Sequence, residues 1–115
     1  MTVDQLREIL NAGYATAGSF DEKEVTCGYS CDLLSWVMAH GAPGTAWITV
    51  QTHLNVIAVA VLMDFSCIIL PEDIEMEEDS LKKAQNEGIP VLKSHKTAYQ
   101  LCGEMALAGI PASIR

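Results

Sequence analysis

The sequence predicts an α/β protein, a three-layer α/β/α sandwich with a mostly parallel sheet of four to five short strands. Three observations support this. Short apolar runs of strand type recur along the second half, of which CIIL at 67–70 is the clearest. Helical stretches of about 11–14 residues separate these runs. The resulting order β-α-β-α-β-α is typical of right-handed parallel units with helices on both faces of the sheet.

Length and composition indicate the number of domains, the make-up of the core and the classes of partner to exclude. The 115 residues predict a single domain, with an N-terminal helix and loop at 1–22 and an α/β core at 23–110. Half of the residues are hydrophobic and 6% are aromatic, so the core is built mainly from aliphatic side chains. The net charge of −8 argues against a nucleic-acid partner and against an anionic membrane surface.

The bounds of the first helix are predicted from the residues at its two ends. Thr2 and Gln5 have the spacing of a capping box, which predicts a helix over 2–12 that Gly13 ends. Short strands are predicted at 14–17 and 24–28.

Ser30 or Asp32 is then expected to cap a helix that runs to about residue 40. Gly41 is the expected left-handed stop of that helix. Trp36 and Met38 are expected mainly to pack into the core; the alternative is that, exposed, they contribute to a partner face.

The remaining elements alternate regularly. Strands are predicted at 46–50, 67–70 and 89–92, of which 67–70 is wholly apolar as in strands buried on both faces. The helices between and after them are predicted at 53–63, from Pro71 to Gly88, and at 95–108. Thr52 is the expected cap of the first and Ser94 of the last.

The apolar stretch at 47–70 does not predict a membrane span, because Asp64 interrupts it well before the roughly 20 apolar residues that a span needs. The N-terminal sequence MTVDQLREIL lacks the basic and apolar regions of a signal peptide. We therefore expect a cytoplasmic protein without a membrane segment.

A ligand site is expected at the carboxyl ends of the strands, where helix N-termini point in open α/β sheets. The junctions there are GYSCD at 28–32, QTHLN at 51–55, KSH at 93–95 and the loop at 71–73. We rank QTHLN first, because Thr52 can cap a helix and His53 then lies among free backbone N–H groups that attract anions.

The candidate ligand-binding residues are Gly28, Ser30, Asp32, Gln51, Thr52, His53 and Asn55. Capping alone would also explain several of them. An enzyme that uses His53 with Asp32 for acid–base chemistry is a further hypothesis. However, the sequence contains no phosphate-binding loop, nucleophile elbow or zinc-protease motif.

The four cysteines raise the question of a second site, one that binds a metal ion or an iron–sulfur cluster. Cys27 and Cys31 form a CxxxC, which differs from the CxxC of zinc ribbons and redox sites. Cys67 and Cys102 are expected to be buried structural thiols. The alternatives are a metal site at Cys27 and Cys31 with a histidine, or a four-cysteine iron–sulfur cluster, whose usual spacing is more compact.

Four segments of the chain, in the same order, resemble stand-alone DRTGG-domain proteins. The segments are GYSCDLLSWVMAHG, AWITVQTHLNVIAVAVL, CIIL and AQNEGIPVLKSHKTAYQLCGEM, and the resemblance covers about four-fifths of the chain. DRTGG domains are similar to the N-terminal domain of HPr kinase/phosphorylase, and they also occur with CBS domains and in phosphate acetyltransferases. The letters DRTGG do not occur here; the turn at 51–55 takes their place without an arginine.

The resemblance implies an accessory or regulatory α/β domain without catalysis. The main hypothesis is therefore a non-enzymatic module, expected to be a homodimer, that senses a small ligand or mediates a protein interaction. Small members of the family are often encoded beside iron-only hydrogenase subunits. The alternative is thus an iron–sulfur or metal-binding accessory protein with a hydrogenase-related partner.

Overall fold

A computed structural model describes residues 1–18, 20 and 22–113. Its elements are α1 (Val3–Leu10), β1 (Gly13–Tyr14), β2 (Cys27–Ser30), α2 (Leu34–His40), β3 (Thr45–Ile48), α3 (Leu54–Leu62), β4 (Cys67–Leu70), α4 (Glu78–Glu87), β5 (Val91–Lys93) and α5 (Ala98–Leu107).

The sheet confirms the predicted class. Within the described residues it has five strands in the order β1-β5-β4-β3-β2. Strands β2 to β5 are parallel, and β1 adds an antiparallel edge next to β5. Because the chain crosses the sheet in one direction from β2 to β5, right-handed crossovers place α2, α3 and α4 together on one face. Helices α1 and α5 cover the other face.

Strand β4 shows how the two layers divide the core. Its four residues are all buried, as the sequence predicted. Ile68 and Leu70 pack with the α2–α4 layer, whereas Cys67 and Ile69 pack with α1 and α5. Side chains alternate between the faces of a strand, so a strand covered on both faces must be apolar throughout.

The predicted cap of α1 is confirmed, whereas its predicted stop is wrong. Thr2 and Gln5 form the capping box. The helix ends at Asn11, which takes the left-handed conformation with φ 53°. Gly13 begins β1 instead.

The predicted caps of α2 were also wrong. Ser30 is the last residue of β2, and α2 starts after Leu33 without any side-chain cap. Gly41 ends the helix in extended backbone, with φ −71°. A side chain is excluded there for steric reasons, since a Cβ on Gly41 would lie 2.9 Å from the Val37 carbonyl oxygen.

The later helices start further along the chain than predicted. Thr52 does not cap α3, whose N-cap is His53. Ser94 does not cap α5, because the N-cap is Thr97, three residues further on, which forms a capping box with Gln100. Helix α4 begins at Glu78, well after Pro71, and ends at Gly88 as predicted, with Gly88 in the left-handed conformation.

Three side chains that were expected inside the core lie at the surface. Trp36 is 54% exposed and Met38 is 42% exposed. Cys102 is also exposed, on α5. Helix ends and burial were therefore predicted less well than the element order. In the part of the chain that the structure describes, no helix is both long and apolar enough to cross a membrane.

Candidate functional site

The turns that follow the four parallel strands lie at one edge of the sheet, because the strands run in the same direction. This edge carries most of the side chains that the sequence singled out. They form two groups of contacts, and a cleft lies beside them.

Asp32 ties the turn after β2 to the turn after β3. Its Oδ1 accepts hydrogen bonds from the Thr49 hydroxyl at 2.9 Å and from the Val50 N–H at 2.8 Å. The Gln51 side-chain amide in turn donates to the Asp32 carbonyl at 2.9 Å. The structure therefore brings the predicted residues Asp32 and Gln51 together, and it engages the Asp32 carboxylate in the neighbouring turn rather than in a helix cap.

Thr52 and His53 both contact the carboxylate of Glu77, the residue directly before α4. The Thr52 hydroxyl donates to Glu77 Oε2 at 3.2 Å, and His53 Nδ1 lies 2.8 Å from the same oxygen. The buried Ser80 hydroxyl donates to the Thr52 carbonyl at 2.8 Å. Glu77 was not predicted, since only the pairing of α3 with α4 brings residues this distant in sequence into contact.

The other predicted residues lie apart from these contacts. Gly28 sits within β2, where its N–H donates to the Pro111 carbonyl at 2.9 Å and its carbonyl accepts from the Ser113 N–H at 3.0 Å. A Cβ at this position would lie 2.7 Å from the Met105 Cε. Ser30 is exposed at the end of β2, and Asn55 is exposed in the first turn of α3.

A cleft of about 610 Å³ opens at the carboxyl ends of β4 and β5. Asn11, Gly13, Ala15, Leu70, Asp73, Ile74, Glu75, Met76, Leu81, Lys93, Ser94 and His95 line it. Its volume lies within the roughly 300–1,000 Å³ of small-molecule sites. The residues ranked first by sequence do not line this cleft, whereas the lower-ranked junctions at 71–73 and 93–95 do.

The lining combines three kinds of chemistry. Leu70, Met76 and Leu81 belong to or pack against the core and supply an apolar wall. Lys93, the last residue of β5, and His95, two residues later, are exposed and supply cationic or hydrogen-bonding groups. Asp73 and Glu75 supply carboxylates from the neighbouring loop after β4. Such a cleft can hold a ligand that has an apolar part, an anionic part and hydroxyl or amino groups.

The turn that carries those carboxylates has an unusual backbone. Glu72 and Asp73 both have positive φ, at 57° and 58°, and the Ile74 N–H donates to the Pro71 carbonyl at 3.1 Å. This is the pattern of a type I′ turn, which favours Asn-Gly. Both N–H groups are fastened to the turn after β5, Glu72 to the Lys96 carbonyl and Asp73 to the Ser94 carbonyl, each at 2.9 Å. Strained backbone of this kind clusters at functional sites.

Relieving this strain is expected to stabilise the protein. The double substitution Glu72→Asn and Asp73→Gly should raise the free energy of unfolding by about 1 kcal/mol, because non-glycine residues pay roughly 1–2 kcal/mol in the left-handed region. Urea denaturation measures the gain. The control Glu75→Asn removes a carboxylate from the same loop without a positive φ and should change stability by less than about 0.5 kcal/mol. An equal gain in the control would contradict the strain.

The four cysteines are free thiols, and Cys31 lies half-buried directly after β2, four residues beyond Cys27. Cys27 and Cys67 are buried in strands β2 and β4, which β3 separates, and Cys102 is exposed on α5. The Cys27 sulfur lies 3.2 Å from the Thr45 hydroxyl. No group of three or more histidine, cysteine or acidic side chains in the described ranges is arranged to hold a metal ion. The iron–sulfur cluster and the metal site at Cys27 and Cys31 both stay predictions.

The sequence itself matches no protein family and no curated protein. The fold does have a match among solved structures, the CBS and DRTGG domains of the regulatory region of Clostridium perfringens pyrophosphatase, complexed with the activator diadenosine tetraphosphate. The TM-score is 0.69 at 10% sequence identity. The match covers 99% of this chain and 50% of the other, so the chain spans about half the length of that protein. This likeness supports a DRTGG-like fold.

Proposed function

We propose that this chain is a non-catalytic regulatory module that senses a nucleotide-like ligand in the cleft at β4 and β5. The observation that carries the proposal is the cleft itself, whose lining combines an apolar wall with the cationic or hydrogen-bonding groups of Lys93 and His95 and the carboxylates of Asp73 and Glu75. The site residues predicted around Gln51–Asn55 remain a second candidate surface at the same edge of the sheet.

The chemistry of the cleft suits a nucleotide in each of its parts. A base can lie against Ile74, Met76 and Leu81, while phosphate oxygens accept hydrogen bonds and charge from Lys93 and His95. Carboxylates such as Asp73 and Glu75 accept hydrogen bonds from ribose hydroxyls. The fold neighbour is itself complexed with a nucleotide activator, diadenosine tetraphosphate, which makes this compound the first probe.

A regulatory rather than an enzymatic role is supported by the contacts at the edge of the sheet. The enzyme hypothesis requires His53 and Asp32 to act on one substrate. His53 Nδ1 instead contacts Glu77, and the Asp32 carboxylate is hydrogen-bonded to Thr49 and Val50. A general acid–base pair must both reach the substrate, and these two groups are committed to separate contacts.

Thermal unfolding with diadenosine tetraphosphate, adenosine triphosphate and adenosine monophosphate tests the proposal. A ligand present at 100 times its Kd should add about 2.7 kcal/mol to the free energy of unfolding. The double variant Lys93→Ala and His95→Ala should lose most of this gain, since both side chains are exposed and line the cleft. Lys82→Ala is the matched control, because Lys82 is an exposed lysine of α4 outside the cleft.

Two results would reject the proposal. One is that none of the three nucleotides stabilises the wild-type protein at millimolar concentration. The other is that the cleft variant keeps the full gain in stability. The hydrogenase-related partner expected from the family resemblance is a separate prediction, which co-purification from the native source would test.

A further inference from the structure

Helix α3 is apolar on its outer side as well as its inner side. Val56, Ile57, Val59 and Ala60 face the core and are buried. Leu54, Asn55, Ala58, Val61 and Leu62 face outward and are exposed. Surface helices normally present charged or polar residues on the outer side. Asn55 is the single polar residue on this one.

The neighbouring helix extends the apolar surface. Helix α2 contacts α3 and exposes Trp36, whose ring centroid lies 4.3 Å from that of His40. Leu33, directly before α2, is 63% exposed. We call this surface the α2–α3 face and define it by Leu33, Trp36, Leu54, Ala58, Val61 and Leu62.

The α2–α3 face also lacks charge. Residues 33–63 contain no aspartate, glutamate, lysine or arginine, although the chain as a whole carries a net charge of −8. The face itself therefore holds no carboxylate, while Asp32 and Asp64 flank its segment in sequence and Glu77 contacts His53, directly before Leu54. Two copies of so acidic a protein repel each other over most of their surfaces, and this face is a place where they can meet without opposing carboxylates.

The size of the face matches what a dimer needs. Its large side chains are 40–68% exposed, which leaves on the order of 500 Å² of apolar surface, near the upper limit for a monomer. A standard interface buries about 800 Å² per partner, with an apolar core and a polar rim. Ser35, His40 and Asn55 border the face and can supply part of that rim.

We propose that the α2–α3 face packs against the same face of a second copy of this chain, with a two-fold axis near Ala58. Ala58 is the midpoint of α3, and Leu54 and Leu62 lie one turn away on either side. In an antiparallel crossing, the small alanines let the helices approach, and Leu54 of each copy packs beside Leu62 of the other. A two-fold interface must be self-complementary in this way. The charge-free face gives a basic protein nothing to attract it, and the negative net charge opposes an anionic membrane.

Sedimentation equilibrium of the full chain tests this proposal. The wild-type protein should have twice the monomer mass of 12.5 kDa. Leu62→Glu should raise the dimer dissociation constant at least 100-fold, because it buries a carboxylate, and Ala58→Arg should do the same through a steric clash. Leu107→Glu is the matched control, since Leu107 is 91% exposed on α5, on the opposite side of the sheet. It should leave the dimer intact.

A charge swap tests the antiparallel geometry itself. The double variant Leu54→Lys and Leu62→Glu should recover dimerisation that Leu62→Glu alone loses, because each copy then places a lysine beside a glutamate of the other. A monomeric wild-type protein at high micromolar concentration would overturn the proposal. So would a dimer that tolerates both Leu62→Glu and Ala58→Arg, or a monomer that instead co-sediments with phosphatidylcholine vesicles.

Discussion

Replacing Trp47 by alanine is expected to lower the free energy of unfolding by about 3–5 kcal/mol, the range for large aromatic residues in a core. Trp47 is fully buried in β3, and its ring meets that of Phe65 edge-on at a centroid distance of 5.6 Å. Its indole N–H also donates to the Cys31 carbonyl at 2.8 Å. The substitution removes the packing and the donor together. Since domains of this size are stable by only about 5–15 kcal/mol, the variant should be close to unfolding.

Trp47→Phe separates the two contributions. It keeps an aromatic ring in the core but leaves the Cys31 carbonyl without its donor, so we expect a smaller loss of about 1–3 kcal/mol. Urea denaturation followed by circular dichroism measures both variants. A loss below about 1 kcal/mol for Trp47→Ala would contradict the described core.

Stability is expected to fall steeply at alkaline pH because of Cys67. Burial raises the pKa of this thiol from its ordinary value of 9.0 to about 12, because a thiolate is disfavoured inside the core. Between these two values the unfolded chain releases the Cys67 proton while the folded protein keeps it. Rising pH therefore favours the unfolded state. The stabilisation is complete below about pH 9 and declines by about 1.4 kcal/mol per pH unit above it.

The control is Cys67→Ala, which removes the titrating group and leaves the rest of the layer in place. Tyr14 contributes in the same direction, since burial and then its hydrogen bond to Asp4 raise its pKa, but it is present in both proteins. Urea titrations between about pH 8 and 11 should therefore give a slope for the variant that is shallower by about 1.4 kcal/mol per unit above pH 9. Equal slopes would show that Cys67 ionises in the folded protein.

The sequence predicts best where one local pattern decides the outcome. The bounds of β4 are correct because a run of four apolar residues is too short for a typical helix and is typical of a strand covered on both faces. The cap of α1 is correct because both partners, Thr2 and Gln5, lie within one motif. Gly88 is correct because a left-handed helix end strongly favours glycine.

Long-range contacts explain most of the errors. Asp32 is a good N-cap by propensity, yet its carboxylate binds the turn after β3, which is 17 residues away. Thr52 likewise turns towards Glu77, 25 residues away. Strand β1 consists of only Gly13 and Tyr14, and nothing local indicates that it pairs with β5 at the far end of the chain.

The candidate site was predicted only in part, again because long-range contacts shape it. The sequence placed the four junctions at one edge, but it could not show that the turns after β4 and β5 are hydrogen-bonded to each other and border a cleft. It also could not identify the outer side of α3, because that helix is apolar in every direction. The sequence did carry one signal for the turn that borders the cleft. Pro71 comes directly after the buried strand β4, and Glu72 and Asp73 follow it.

The most direct test of the central claim is an NMR titration of the isotope-labelled protein with diadenosine tetraphosphate, in which each backbone amide reports on its own surroundings. We predict saturable shifts for the amides that line the cleft, at 73–76 and 93–95, with smaller changes along α2 and α3. Saturable shifts confined to 51–55 would move the site to the turn after β3. The absence of any saturable shift would contradict the account of this chain as a nucleotide-sensing module.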